Sequence, residues 1–250
     1  MKIVAIIQAR MGASRLPGKV LLDIGGKKAI ELVWERVSQS RKVAEIWLAT
    51  TTSPGDDELY HFIAGKRIKC YRGSEFDVLD RYYQTALLAA AGAVVRITGD
   101  CPFIDPSVID EVIAAFLEGN YDYVSNTHPP TFPDGLDVEV FSFAALKKTW
   151  AEAILKSERE HVTSHIWNHP EKFKLKNVES KKNYSRERWT LDTKDDLEFI
   201  RRVVGEFQKH GKGFLSWLDI LDIVSQHPEW TSLNSHQRRN EGYFKSLAED

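Results

Sequence analysis

Apolar residues come along this chain in short, nearly unbroken runs, separated by stretches in which they recur every three or four positions. The first run, Lys2 to Gln8 (KIVAIIQ), is rich in isoleucine and does not alternate, the pattern of a strand buried on both faces of a parallel sheet. After DIGGKK, Ile30, Val33, Trp34 and Val37 fall at helical spacing, and VAEIWLATT then reads as a second buried strand closing at Thr51 and Thr52. SPGDDELYHFIAG predicts a turn and a helix, and IKCYRG a third strand. EFDVLDRYYQTALLAAAG predicts a long helix stopped by Gly92, and AVVRITGD a fourth strand ending on Asp100. Asp105 before Pro106 supplies an N-cap and a first-turn proline for the next helix, whose apolar face runs through Val108, Ile109, Val112, Ile113, Phe116 and Leu117.

Strands alternating with helices in this way predict an α/β fold: a mostly parallel sheet flanked by helices, with ligands at the carboxyl ends of the strands. From Tyr121 to about Glu187 the rhythm changes to strand-like YDYVSN, LDVEVFSF and KFKLKNVE around a helical SEREHVTSHIWN, which reads as an antiparallel excursion. The chain returns through ERWTLDT, read as a further strand with Asp192 at its end, so that Asp100 and Asp192 could meet at one edge of the sheet, then through a helix from Asp195 to Phe207 and another around FLSWLDILDIV. The expected organisation is one domain over 1–230, with 121–187 as its excursion, and a polar tail over 231–250 without an assigned role.

Composition narrows the class. Charged residues make up 28% of the chain and hydrophobic ones 42%, with a formal net charge of -2. Basic and acidic residues are mixed throughout, so the stripe of Lys and Arg that a nucleic-acid binder needs is missing, and a small-molecule partner is expected. No apolar run approaches the ~20 residues needed to cross a bilayer. The initial apolar run is too short for a signal sequence, so a cytoplasmic location is expected. The two cysteines, Cys70 and Cys101, have no paired spacing for a disulfide framework or a thiolate zinc site.

The chemistry concentrates after the first strand, in QARMGASRLPGKVL. A Walker loop would place four residues between its glycine and Gly-Lys and a Ser or Thr after the lysine; here Gly12 and Gly18 enclose five, and Val20 follows Lys19. The G-x-G-x-x-G dinucleotide fingerprint is also absent. What remains is a turn carrying Arg10, Arg15 and Lys19, with Gly12 and Gly18 able to bring backbone N–H groups near an anion. Three cations suit a triphosphate; a solvated basic loop is the plainer alternative.

The order of residues in IIQARMGASRLPGKVL closely resembles the signature loop of the CMP-sugar synthetases, which include the sialic acid and Kdo cytidylyltransferases. Within that group the chain is most similar to the spore coat polysaccharide cytidylyltransferase branch. RGSEFDVLDRYYQTA, RITGDCPFIDP, FPDGLDVEVFSFAAL, EREHVTSHIWNHP and RWTLDTKDDLEFI carry the likeness from Met1 to about Val224. The resemblance implies a Rossmann-like, GT-A-like nucleotidyltransferase fold. It also implies a Mg²⁺-dependent reaction in which a sugar acceptor attacks the α-phosphorus of CTP and releases pyrophosphate, for surface polysaccharide or glycoconjugate synthesis.

Carried over residue by residue, the resemblance makes Ala9, Arg10, Gly12, Ser14, Arg15 and Lys19 nucleotide contacts, with Arg10, Arg15, Lys19 and Asp100 catalytic. It makes Asp100 and Asp192 the Mg²⁺ ligands; two aspartates suffice for magnesium when phosphate oxygens and water complete the shell. By spacing alone, without the resemblance, Asp192 reads as an N-cap of the following helix rather than a ligand. The resemblance places Arg72 and Ser74 beside the cytosine, and implies a homodimer through part of 121–187. Arg81 could reach the nucleotide or pair with Asp77 at i, i+4.

Asp137 and Glu139, two apart on a predicted strand, share one face and are candidates for the acceptor sugar, although they would repel a carboxylated one unless a cation intervenes. His161 and His165, four apart on a predicted helix, also share a face; HVTSH lacks the glutamate of a zinc protease motif, and His161 is the substrate-facing choice. Cys101 has no partner base and is assigned to packing, and most of the seven tryptophans to core or dimer contacts. Two other readings stay open: a nucleotidyltransferase using another NTP or a sugar phosphate, and a nucleotide-sugar-binding module without catalysis.

Overall fold

The computed structural model describes residues 1–210 and 213–250. The main sheet opens with β1 (Ile3–Gln8), followed by a small hairpin of β2 (Asp23–Ile24) and β3 (Lys27–Lys28) and by α1 (Ala29–Val37). β4 (Glu45–Thr51), α2 (Asp57–Gly65), β5 (Lys69–Gly73), α3 (Val78–Leu88), β6 (Ala93–Thr98) and α4 (Pro106–Glu118) continue the alternation. Then come β7 (Tyr123–Ser125), β8 (Glu139–Ser142), α5 (Phe143–Glu152), α6 (Lys156–His161), α7 (Ser164–Asn168) and β9 (Leu175–Asn177). α8 (Lys194–His210), α9 (Trp217–Gln226) and α10 (Glu241–Leu247) complete the chain.

Seven strands form one sheet in the order β5-β4-β1-β6-β8-β7-β9. β5, β4, β1 and β6 pair in parallel. β8 runs antiparallel to β6 and to β7, whereas β9 is parallel to β7. The excursion expected over 121–187 therefore extends the main sheet, and β8 alone runs against its neighbours.

The unbroken apolar run of β1 serves both faces. Ile3, Ala5 and Ile7 enter a core with α1, α4, α8 and α9, while Val4 and Ile6 enter a second core with α3 and α5. Burying a Val or Ile side chain contributes about 1.5–3 kcal/mol, so this central strand is a large share of what holds the three layers together. In α4, Asp105 caps the Ser107 N–H, Pro106 takes the first turn, and Val108, Ile109, Val112, Ile113 and Phe116 are buried; Leu117, expected on that face, is exposed. Asp77 caps α3 by accepting from Asp80 N–H. The left-handed residue that ends α3 is Ala90 rather than Gly92, which is instead a close approach: a Cβ there would lie 2.5 Å from the Met1 side chain.

The single helix expected in SEREHVTSHIWN is two helices, broken at Val162, whose φ of 63° and ψ of -56° with a Thr163 N–H to His161 carbonyl bond of 2.6 Å make a γ-turn. That conformation is strained for a β-branched residue and belongs to a constrained place in the fold. ERWTLDT forms no strand; Trp189 and Leu191 are buried, and the segment is fixed by an isolated bridge between Arg188 and Asp134 and by the Leu191 N–H donating to the Asp100 carbonyl at 2.8 Å.

Candidate active site

The sheet face that is apolar near the start of β1 and β6 becomes polar toward their carboxyl ends. Along one face Val4 and Ile6 give way to Gln8, and Val94 gives way to Arg96 and Thr98. Register sets Gln8 beside Thr98, and Arg96 beside Glu139 of the reversed β8. Above this polar row lies a cavity of about 500 Å³, open to solvent and lined by Gln8, Arg96, Asp100, Asp137, Glu139 and Asp192 among others. A second cavity of about 480 Å³ opens on the opposite layer, where Lys27 pairs with Glu35 and Arg36 donates to carbonyl oxygens; among the described residues no group of acids and free cations gathers there.

The loop after β1 is held at both ends. Met11 N–H donates to Asp56 at 2.6 Å, Gly18 N–H returns to the Met11 carbonyl at 2.9 Å, and Gly18 has the left-handed φ of 72° that favours glycine. Gly99 lets the loop base approach: a Cβ there would lie 2.8 Å from Ala9 Cβ and 3.0 Å from the Gln8 carbonyl oxygen. Anchored so, the loop turns Lys19 inward.

Lys19 Nζ donates to Asp100 at 2.5 Å and to Asp192 at 2.7 Å, so one buried ammonium touches both carboxylates. Asp192 also receives Arg15 at 3.1 Å and Arg188 at 3.0 Å. Burial pushes the Asp100 carboxyl up, yet the neighbouring Lys19 charge overrides it and holds the pKa down to about 2. Burial disfavours the Lys19 ammonium too, and the two aspartates raise its pKa above the ordinary value. Two converging acids that require a cation between them, beside an arginine-bearing loop, fit a divalent ion and a polyphosphate by their donor set.

Asp192 is not at a strand end. It precedes α8, and the cap of that helix is Thr193, whose Oγ1 accepts from Asp196 N–H while the Asp196 carboxylate accepts from Thr193 N–H at 2.9 Å. Asp192 is thereby left free for the cations. Asp196, fully buried, also takes Arg188 Nε at 2.9 Å and fixes the arginine that reaches both Asp192 and Asp134.

On the far wall, Glu139 is tied to Arg96, to Tyr123 Oη at 2.6 Å and to Thr163 Oγ1 at 2.5 Å. The γ-turn at Val162 is what aims Thr163 at it. Burial would raise the Glu139 pKa, but Arg96 and the two hydroxyls hold it below the carboxylate range. Asp137, just ahead of β8, pairs with Arg239. Its pKa is nonetheless pushed up to about 7 by burial, with Asp134 and Glu139 adding to the rise. In this arrangement a cation stands at each acid, Arg239 at Asp137 and Arg96 at Glu139. His161 lines the same cavity, its Nε2 3.1 Å from Ser246 Oγ. Burial and the Arg96 charge lower its pKa to about 4.

Other expected residues are placed apart. Arg10 lies at the loop edge, 3.9 Å from Glu75, Ser14 is exposed, and Ala9 is buried at the loop base with its N–H on the Ala49 carbonyl. A Cβ on Gly12 would face Glu75 at 3.6 Å. Arg72 does not reach the cavity: it donates to the Thr51 and Ser53 carbonyls and to Asp57. Ser74 Oγ accepts from the N–H groups of Phe76 and Asp77. Arg81 is buried and donates to the Ser74 carbonyl rather than to Asp77, which pairs with Arg159. The break at Val162 separates the two histidines expected on one face. His165 packs inward, its Nδ1 2.8 Å from Glu158 while its buried Nε2 has no hydrogen-bond partner among the described residues, and His169 Nδ1 lies 2.7 Å from the His165 carbonyl oxygen. Burial raises the Cys101 thiol well above its usual pKa, consistent with packing.

Sequence reasoning missed Gln8, Arg96, Thr98, Arg188 and the whole contribution of 231–250. Arg96 had a visible signal, an arginine inside an otherwise apolar strand. The tail had none: Arg239 meets Asp137, and Glu241 meets Arg15 at 2.5 Å, across more than a hundred residues of chain.

A family model described as cytidylyltransferase matches residues 4–220. An uncharacterized protein of Methanocaldococcus jannaschii is 37% identical over 96% of this chain and 97% of its own length. The spore coat polysaccharide biosynthesis protein SpsF of Bacillus subtilis is 32% identical over 91% of this chain and 95% of its own. Among solved structures, a cytidylyltransferase from Leptospira borgpetersenii superposes with a TM-score of 0.87 at 30% identity, covering 96% of this chain and 100% of that one.

Proposed function

Because this chain belongs to the cytidylyltransferase family and is a nucleotidyltransferase, we propose that it transfers CMP from CTP to a small sugar acceptor, releasing pyrophosphate with Mg²⁺ as cofactor. One observation carries this reading: the ammonium of Lys19 lies against Asp100 and Asp192 together, with Arg15 alongside. That set offers cations for a triphosphate and carboxylates for its metal in one place.

In this reading Arg15 and Lys19, with Arg10 at the loop edge, hold the phosphates and offset charge on the departing pyrophosphate. Bound Mg²⁺, held by Asp100 and Asp192, would supply charge neutralisation at the phosphate oxygens. The nucleophile enters from the wall formed by Asp137, Glu139 and His161. A hydroxyl must lose a proton, and Asp137, with its pKa near 7, is the carboxylate there able to take it at neutral pH. A sugar phosphate would need no base.

The relative in spore coat polysaccharide biosynthesis supports a role in making a nucleotide-activated sugar for surface polysaccharide. No helix among the described residues is long and apolar enough to cross a membrane; a cytoplasmic location is part of the proposal. A homodimer through part of 121–187 completes the reading; Ile154, 85% exposed, is an apolar residue available to it.

Arg72 faces away from the cavity, so cytosine selection requires its own test. Pyrophosphate release is measured with CTP, UTP, ATP and GTP against a panel of aldulosonic acids and sugar phosphates. Release with CTP that is lost with EDTA and in Asp100→Asn supports the proposal; equal use of all four nucleotides, or full activity in Asp100→Asn, refutes it.

A further inference from the structure

The last residues of the chain roof the cavity. Asn234, buried, donates to the Arg188 carbonyl at 3.0 Å and to Asp196 at 2.9 Å, which fixes the start of the strap to the cluster beneath α8. Beyond it Arg239 reaches Asp137 and donates to the Phe132 carbonyl, and Asn240 turns the chain with a left-handed φ of 58°. Glu241 then places a carboxylate on Arg15 Nη1, and Lys245 on α10 braces it at 3.1 Å. Tyr243 packs edge-on against His161 and Trp167. Arg238, Asn240, Glu241, Gly242, Tyr243 and Phe244 all line the cavity.

The strap is fastened by polar contacts rather than by a core. Phe244 is 63% exposed and Leu247 42%, while the ties run to Arg15, Asp137 and His161 and, farther along, from Glu249 to Lys156 and from Asp250 to Ser157. Segments held this way open at low free energy. The tie on Arg15 is distinctive because its partner is an acid standing on a cation of the phosphate loop. Arg15 bears two anionic neighbours, Asp192 on one nitrogen and Glu241 on the other, and a guanidinium fork grips phosphate oxygens in the same way as carboxylates.

We propose that residues 235–250 form a latch over the acceptor cavity, in which Glu241 occupies Arg15 as a surrogate anion until the phosphates of the nucleotide displace it. Nucleotide binding then frees the strap and opens the acceptor cavity, so the nucleotide enters before the sugar. This rests on the reading of the loop as a triphosphate clamp.

Hydrogen exchange of the full-length protein followed by mass spectrometry tests it, with CTP and Mg²⁺, with inorganic tripolyphosphate, and with Glu241→Gln. In the free wild type, residues 238–247 are expected to be measurably protected, though less than β1 and α4; CTP with Mg²⁺ and Glu241→Gln should each accelerate exchange there and leave β1 and α4 unchanged. Glu241→Gln should also bind CTP about two- to fivefold tighter, the scale of losing one competing exposed ion pair. The latch is overturned if CTP binds while 238–247 is unchanged or becomes more protected, or if Glu241→Gln binds CTP no tighter. Acceleration by tripolyphosphate without any CTP binding supports the latch and sinks the nucleotide reading. Binding of neither anion overturns both.

Discussion

Replacing Lys19 by methionine keeps the length of the side chain and deletes the one charge shared by Asp100 and Asp192. The two acids are not equally exposed to the loss, since Asp192 keeps Arg15 and Arg188 while Asp100 has no second cation among its ion pairs. In the wild type the Asp100 pKa falls from 3.8 to about 2; at about 1.4 kcal/mol per unit that is a ceiling of ~2.4 kcal/mol, trimmed toward ~2 because a quarter of the side chain meets solvent. That stability is present above pH 3.8 and lost as pH falls through about 2. In Lys19→Met burial is opposed only by hydrogen bonds from Thr98 and the backbone, so the Asp100 pKa moves up and the variant recovers stability relative to the wild type as acid neutralises the carboxyl. The variant should therefore lose ~2–4 kcal/mol at pH 7.5, roughly 5–10 °C in Tm for a chain of this size, and the gap should narrow toward pH 4.5. Reversible thermal melts across that range measure it. A gap of the same size at both pH values, or none at pH 7.5, would refute the shared-ammonium account.

Other outcomes follow from the cavity walls. Glu139→Gln leaves Arg96 buried without its counter-charge and should cost about 3 kcal/mol in chemical denaturation. Gly99→Ala drives a methyl group against Ala9 and the Gln8 carbonyl; kcat/KM for CTP should fall at least ~10-fold from displacement of the loop, with a stability loss of ~1–3 kcal/mol. Asp137 has a folded pKa of about 7 against an ordinary 3.8, caused first by burial. Its ionisation therefore removes stability as pH rises from about 4 to about 7, and Asp137→Asn should gain on the wild type in Tm at pH 8 relative to pH 4. A constant difference across that range would contradict the assignment.

The parts of this fold that were legible in the sequence are those decided by neighbours a few residues away. β1 could be recognised because every position from Ile3 to Ile7 is apolar, as burial on both faces demands, and α4 because Asp105 and Pro106 start it and its apolar residues keep one face. The loop was legible as a cluster of cations, and the structure brings Arg15 and Lys19 to Asp100 and Asp192. ERWTLDT misled because burial of Trp189 and Leu191 imitates a strand, while the segment is set by the Arg188 network with Asp134 and Asp196. The histidine pair misled because nothing local announces a γ-turn at a valine; the turn is held by Thr163 bonding to Glu139, 24 residues away. Arg239 and Glu241 were illegible for the same reason at longer range, as isolated charges in a polar tail acquire meaning only from the groups they meet.

The reversal of β8 has a consequence for how such an enzyme can diversify. Every other strand near the centre delivers its last residues to the rim, whereas β8 arrives there with its first, so the segment leading into it, from His128 to Val138, edges the cavity without any strand having to change. In the proposed function, the phosphate loop stands on one side of that boundary and the acceptor sugar on the other. Lengthening or recoding the lead-in to a single backward strand can retarget the enzyme while the machinery that cleaves the nucleotide stays untouched.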